Sequence, residues 1–178
     1  MNPRAKQESP SAFPLALALR AAAFVILLPG TVGGYFPVLI LRASNGLVRP
    51  RLSVSSAGAA LLLLAGAAVV LRCVWDFFAT GRGTLAPVDP PKRLVVSGLY
   101  RHTRNPMYNG VLAAILGEAW LFRSAVLLEY ALGVFVAFHL FVVLYEERAL
   151  ASRFSGAYAA YRRTVPRWGF TARPSKLD

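Results

Sequence analysis

Apolar positions along this chain gather into four long runs, 13–41, 54–78, 107–122 and 125–145, separated by short polar or Gly/Pro-rich breaks. A straight membrane helix needs about 20 apolar residues, so each run is a candidate span. The first is longer than that and is interrupted by Pro29-Gly30, Gly33-Gly34 and Pro37, which predicts a kinked or tilted helix. The second is the cleanest, with no proline. The third is short, and only Arg123-Ser124 separates it from the fourth, so the two form a tight helical hairpin. Between the second and third runs, Gly and Pro from Thr80 to Pro91 predict extended backbone, and Leu94-Val95-Val96 is expected to dip into the membrane interface. After the fourth run, Leu150, Phe154, Tyr158 and Tyr161 recur at roughly helical spacing among arginines. That is an amphipathic helix lying on the membrane, ended by Val165-Pro166, with Trp168 as an interfacial anchor. The fold class is all-α, an integral membrane bundle of about four transmembrane helices with a cytoplasmic C-terminal helix.

Composition agrees with the pattern. The chain has 178 residues, the size of one domain (1–178), and 56% of them are hydrophobic. Its net charge of +12 raises the question of nucleic acid. The basic residues flank apolar runs instead of forming one stripe, which favours anionic lipid and argues against nucleic acid. Arg82, Lys92, Arg93, Arg101 and Arg104 lie between the second and third runs, and seven more Lys or Arg follow Glu147. The opposite side holds Arg42, Arg49, Arg51 and Arg123. By the positive-inside rule both termini and segments 79–106 and 146–178 face the cytoplasm, in a bacterial or archaeal-type cell membrane. Arg4 and Lys6 before an apolar stretch imitate a signal peptide, but without a convincing cleavage site the stretch reads as the first membrane segment. Cys73 lies inside an apolar run and reads as a packed small residue.

The polar residues at the segment ends carry the chemistry. Glu146 and Glu147 directly follow the fourth run, at the boundary where charge is cheapest. On their own they read as a solvated helix end. Facing them are Arg101, His102, Arg104 and Asn105, with Tyr100 and Tyr108 bracketing the cluster. Carboxylates bind a ligand ammonium, arginine clamps a carboxylate, and aromatic faces attract cations including a sulfonium. Pro106 suits the first turn of a helix, which makes Asn105 its N-cap. His102 alone reads as a solvated loop histidine, and Arg72 with Asp76, four apart, as a structural pair. Glu118 and Glu129 flank Arg123, their expected partner, and His139 reads as a buried histidine bonded to a neighbour. With two histidines and one cysteine there is no metal-ligand spacing. Gly81-Arg-Gly83 lacks the strand and third glycine of a dinucleotide motif, and hydrolase motifs are absent.

Taken in order, Gly98-Leu-Tyr100, Arg104-Asn-Pro-Met-Tyr108, Gly110, Tyr145-Glu-Glu147, Phe154, Tyr158, Tyr161 and Val165-Pro166 resemble the isoprenylcysteine carboxyl methyltransferase and phospholipid methyltransferase superfamily of integral membrane enzymes. The resemblance covers roughly residues 91–168. It implies S-adenosylmethionine as methyl donor, bound without a Rossmann domain, and a lipid or lipidated acceptor: a prenylcysteine-type carboxylate or a phospholipid amine. Carried over, Arg104, Asn105, Pro106 and Tyr108 form one wall of the cofactor pocket and Glu146 and Glu147 the other. Tyr100 and His102 border it, and Tyr158, Tyr161 and Arg162, or Arg163 in its place, close it from the tail. Arg104, Glu147 and Tyr108 are the residues expected in catalysis. Asparagine at 105, where many carboxyl methyltransferases of the superfamily have histidine, leans toward the phospholipid branch. Two other readings stand beside this one: an NADPH-dependent membrane reductase of the sterol type, and a non-enzymatic membrane scaffold.

Overall fold

The computed structural model describes residues 26–44, 53–79, 94 and 96–172, and the described residues contain helices and no strand. Helix α1 is wound as a wide π-helix over Ile26–Tyr35 and continues as α-helix over Phe36–Ala43. The wide turns coincide with Pro29, which donates no backbone hydrogen bond, and with the glycines just after it. A carbonyl there is taken up from outside the helix: the Tyr130 hydroxyl donates to Val32 O at 2.8 Å. The first segment is irregular at its proline, where a kink or tilt was expected, while residues 13–25 and the stretch 80–91, expected to be extended, lie outside the described residues.

Helix α2 spans Val54–Ala79 and α3 spans Pro106–Leu121, opening with proline as the sequence suggested. The turn at 122–124 closes the hairpin with α4, Ala125–Phe141, whose N-cap Ser124 accepts a bond from Leu127 N at 3.2 Å. Arg123 takes a positive φ of 51° in this turn. Among the described residues it forms no ion pair with Glu118 or Glu129, so the pairing expected for it is not made; the turn backbone points the guanidinium into solvent, where it is exposed. A π turn, Val142–Glu146, joins α4 to α5, Glu147–Thr164. Within α5 the backbone kinks at Ser155 (φ 30°, ψ −106°).

Two helices are long and apolar enough to cross a membrane, Val54–Asp76 and the continuous Ala125–Thr164. The second contains 40 residues, about 60 Å at 1.5 Å each, twice a bilayer's hydrocarbon thickness. Its apolar part is α4, and the arginines of α5 end the apolar stretch. Outward stripes on α2 (Leu61, Leu64, Leu71, Trp75) and α4 (Leu128, Leu132, Val136, Leu140) are exposed on this chain. Apolar faces of that extent need lipid or another partner.

The interior is built on close backbone approach. Gly66 on α2 lies against Gly110 and Ala114 on α3, and Gly117 lies against Leu63. Glycine at these places lets the two helices touch main chain to main chain, the usual device where apolar burial gives no drive for association. One cluster centred on Ile115 joins α2, α3 and α4, and another joins Leu41, Ala119 and Leu127. Cys73 is fully buried, as expected of a packed residue.

Candidate functional site

The site forms where the N-terminal end of α3 meets the junction of α4 and α5. The approach to α3 begins with a 3₁₀ turn, Gly98–Arg101, and Gly98 takes φ +59°. A Cβ at Gly98 would also collide with the Asp76 carboxylate, so glycine is required twice over. Asp76 in turn pairs with Arg72 at 3.0 Å, the i,i+4 bridge read from the sequence.

The π turn just before α5 sets the direction of the two carboxylates. One extra residue in a turn rotates the side chains beyond it, and Glu146 and Glu147 come to face different partners of the same opposing segment. The Tyr108 hydroxyl donates to Glu146 Oε1 at 2.6 Å, and the Tyr108 ring packs on Phe138 at 4.5 Å. Arg104 Nη1 donates to Glu147 Oε1 at 2.7 Å and to the Tyr158 hydroxyl at 3.2 Å, while its Nε donates to Val165 O. Arg167 completes the arrangement with a bidentate contact, Nε to Glu147 Oε1 at 2.7 Å and Nη2 to Oε2 at 2.9 Å.

Both oxygens of Glu147 are therefore engaged by two guanidinium groups, and the side chain is 9% exposed. Burial alone would raise its pKa, but the Arg167 hydrogen bond and the charges of Arg104, Arg167 and Arg162 outweigh it and hold the carboxyl below its ordinary value. Its neighbour behaves oppositely. Burial pushes Glu146 up, the Tyr108 bond pulls it partly back, and the Glu147 charge raises it further. Glu146 Oε2 makes no hydrogen bond among the described residues. Two adjacent carboxylates thus end in opposite states: one locked and ionised, the other holding capacity for a cation or a proton.

The remaining expected residues are distributed around this pair. Asn105 is the N-cap residue of α3 by position, but its side chain makes no cap bond; its Nδ2 donates to Arg167 O at 3.1 Å. The cap expected of it is displaced because the C-terminal segment presents a carbonyl there. Pro106 is buried. His102 is not a solvated loop residue, since its Nδ1 meets Thr171 O at 2.9 Å and its own carbonyl accepts from Thr171 N. Tyr161 donates to Tyr100 O at 2.7 Å, and Tyr158, Tyr161 and Val165 form a core with Leu94, Val96, Leu150 and Phe154. Leu94 and Val96 accordingly pack on α5 instead of entering the interface. Arg162 is exposed, lies 5.9 Å above the Tyr158 ring, and has no ion pair among the described residues.

Three participants escaped the sequence reading. Arg167 entered it only as a topology charge, and Thr103 and Asn109, bonded to each other at 3.2 Å inside the α3 entrance, did not enter at all. Trp168, expected as an interfacial anchor, instead donates from Nε1 to His139 Nδ1 at 3.0 Å and packs on Phe135. Its indole turns inward because His139, within an apolar helix, offers it an acceptor. His139 is thus bonded to a neighbour, as expected.

A family model of phospholipid methyltransferases matches residues 54–157, from α2 to the kink region of α5. No curated protein and no solved structure shows a significant match to the chain. The matched span contains Arg104, Tyr108, Glu146 and Glu147, while Tyr158, Val165 and Arg167, which complete their contacts, lie beyond it.

Proposed function

The chain belongs to the phospholipid methyltransferase family, and from that membership and the site geometry we propose that it transfers a methyl group from S-adenosylmethionine to the headgroup amine of a membrane phospholipid. The observation that carries this reading is the Tyr108–Glu146 contact, a half-buried carboxylate with one oxygen uncommitted where α4 leaves the apolar layer.

The donor set suits such a ligand pair. Arg162 is a cation without an ion pair among the described residues and fits the methionine carboxylate. The Tyr108 and Phe138 faces suit a sulfonium. Tyr100, His102, Asn105, Pro106 and Tyr161 supply the frame around them. S-adenosylmethionine, when bound, supplies an electrophilic methyl carbon whose transfer turns a sulfonium into a neutral thioether.

A headgroup amine is protonated in water and must lose that proton before its lone pair forms the new C–N bond. Glu146 is the group to take it. Burial has moved this carboxyl up toward the working range of a general base, and the Tyr108 hydroxyl fixes one oxygen so that the other is presented. Glu147, fully engaged by Arg104 and Arg167, holds the wall in place and takes no proton. We read four membrane segments, 13–41, 54–78, 107–122 and 125–145, with both termini and the site on the cytoplasmic side, because the Lys and Arg excess lies there.

The test is methyl transfer from labelled S-adenosylmethionine to phosphatidylethanolamine with the purified chain in mixed micelles. Glu146→Gln is expected to lower kcat by about 10²-fold, the usual worth of a positioned base, while leaving cofactor affinity near wild type. The wild-type rate should rise with pH through a value above the ordinary carboxylate range, and the Gln variant should lose that rise. Arg162→Ala should weaken cofactor binding by about two- to fivefold. A wild-type chain that transfers no methyl to the lipid would sink the proposal.

A further inference from the structure

His139 stands two residues before the end of α4, in a stretch that is apolar from Ala131 to Phe141 apart from this ring, and beside the site. Its Nδ1 meets the indole Nε1 of Trp168 at 3.0 Å. An indole nitrogen can only donate, so Nδ1 must be the accepting nitrogen, and in the neutral ring Nε2 then carries the hydrogen. The ring is held by Trp168, stacked at 6.1 Å, and by Phe135 at 6.0 Å. Nε2–H has no partner among the described residues. A polar hydrogen left unbonded at membrane depth is costly, and a polar residue in an apolar helix marks a functional position by default.

The depth is informative. His139 precedes Glu146 by seven positions, about 10 Å along the helix axis and toward the apolar layer. A phospholipid anchored by its chains presents its phosphodiester nearer the bilayer and its amine farther out. The order along the helix is the same: a fixed hydrogen-bond donor below, an uncommitted carboxylate above. Phe138, next to His139, packs on Tyr108, which holds Glu146, so donor and carboxylate belong to one continuous wall.

We propose that His139 Nε2 donates to a phosphodiester oxygen of the acceptor lipid and so sets the headgroup register that places its amine at Glu146. The proposal rests on the phospholipid-methyltransferase reading given above. Trp168 is then a positioning residue: its indole selects the tautomer that donates toward the lipid. Specificity results, because an amine without a phosphate cannot make this contact.

The test uses the full chain in maltoside micelles, whose detergent carries no phosphate. His139→Asn keeps an acceptor near the Nδ1 position for Trp168 and removes the Nε2 donor. His139→Gln restores a donor near the Nε2 position. With phosphatidylethanolamine as varied substrate, the Asn variant is expected to show an apparent KM raised at least ~10-fold, the worth of a hydrogen bond to a charged oxygen, with kcat and cofactor affinity little changed. The Gln variant should recover most of that loss. With a long-chain primary amine lacking phosphate, wild type and Asn variant should not differ. Independently of turnover, ¹⁵N-histidine NMR should show the His139 Nε2 signal shifting on addition of phosphatidylethanolamine or phosphatidylglycerol, with His102 unmoved. If wild type transfers methyl while the Asn variant keeps its KM and the signal stays still, this assignment is overturned and the activity stands. If the signal shifts but no methyl is transferred, the lipid site stands and the methyltransferase reading fails. If neither occurs, both are overturned.

Discussion

Glu147→Ala is expected to cost about 3–5 kcal/mol of stability, the penalty for removing one member of a buried ion pair. It should also remove nearly all activity. The side chains of Arg104 and Glu147 are 10% and 9% exposed, so the guanidinium left behind at Arg104 stays desolvated without its counter-charge. Arg167, at 28%, can relax partly into solvent, which places the loss nearer the lower end. The loss spreads because Glu147 is the point at which three segments meet: the Arg104 turn, the start of α5, and the chain beyond Pro166. Glu147→Gln keeps the shape and should lose less. Glu129→Ala, at an exposed position, should be near neutral. Denaturation in micelles followed by near-UV circular dichroism measures all three, and an Ala variant as stable as wild type would dismiss the clasp.

The same carboxylate gives a pH signature. Its folded pKa lies below the ordinary value of 4.5, so its contribution is complete above that pH and is lost as pH falls through the lower folded value. Glu146, raised from the same reference, acts in the opposite sense: its contribution is lost as pH rises through its folded pKa. Wild type should therefore lose stability in acid by a component that the Glu147→Ala variant lacks. Above pH 4.5, both chains should share a decline with rising pH that Glu146→Gln abolishes.

Legibility in the sequence depends on the physics of each signal. Three of the four ends of the hairpin helices were readable within a residue, since apolar length and a two-residue break leave little freedom; the fourth run was read to 145, whereas α4 ends at Phe141 and the π turn takes the rest. The meeting of Arg104 and Tyr108 with Glu146 and Glu147 was readable from charges standing at segment ends, supported by the superfamily resemblance. Nothing local announces the π turn at Val142–Glu146, because a widened turn has no composition of its own, yet it separates the two carboxylates into different environments. Arg167 is one arginine in a basic tail, 20 residues from its partner, and no periodicity singles it out. Asn105 illustrates competition: propensity favours a cap, and a carbonyl brought from 62 residues away takes the side chain instead. Leu94 and Val96 show the same for apolar groups, which two buried tyrosines recruit before lipid does.

Gly66→Leu should be the most damaging single change within the membrane helices. A Cβ at this position would sit 2.5 Å from Gly110 O and 2.6 Å from Ala114 N, both backbone atoms of α3. Backbone cannot swing aside as a flexible side chain does, so the helices must separate. The contact is not isolated, since a Cβ at Gly117 would lie 2.6 Å from Leu63 N, farther along the same pair of helices. Spreading α2 from α3 opens both places at once and forfeits the dispersion contacts between them, which in a bilayer supply most of the attraction. Overpacking of this kind costs about 1–3 kcal/mol even where neighbours can yield; against backbone the loss should reach or exceed the upper figure. Function should fail as well, because α3 begins at Pro106 and a shift of its axis carries Tyr108 away from Glu146. Far-UV circular dichroism should stay close to wild type while the melting temperature and methyl transfer both fall. Gly133→Ala on α4, where an added Cβ meets nothing within 4 Å, is the control and should be neutral or slightly stabilising, by about 0.5–1 kcal/mol. Equal melting temperatures for Gly66→Leu and wild type would show that α2 and α3 are not packed backbone to backbone, and the placement of the α3 entrance would have to come from the carboxylate clasp alone.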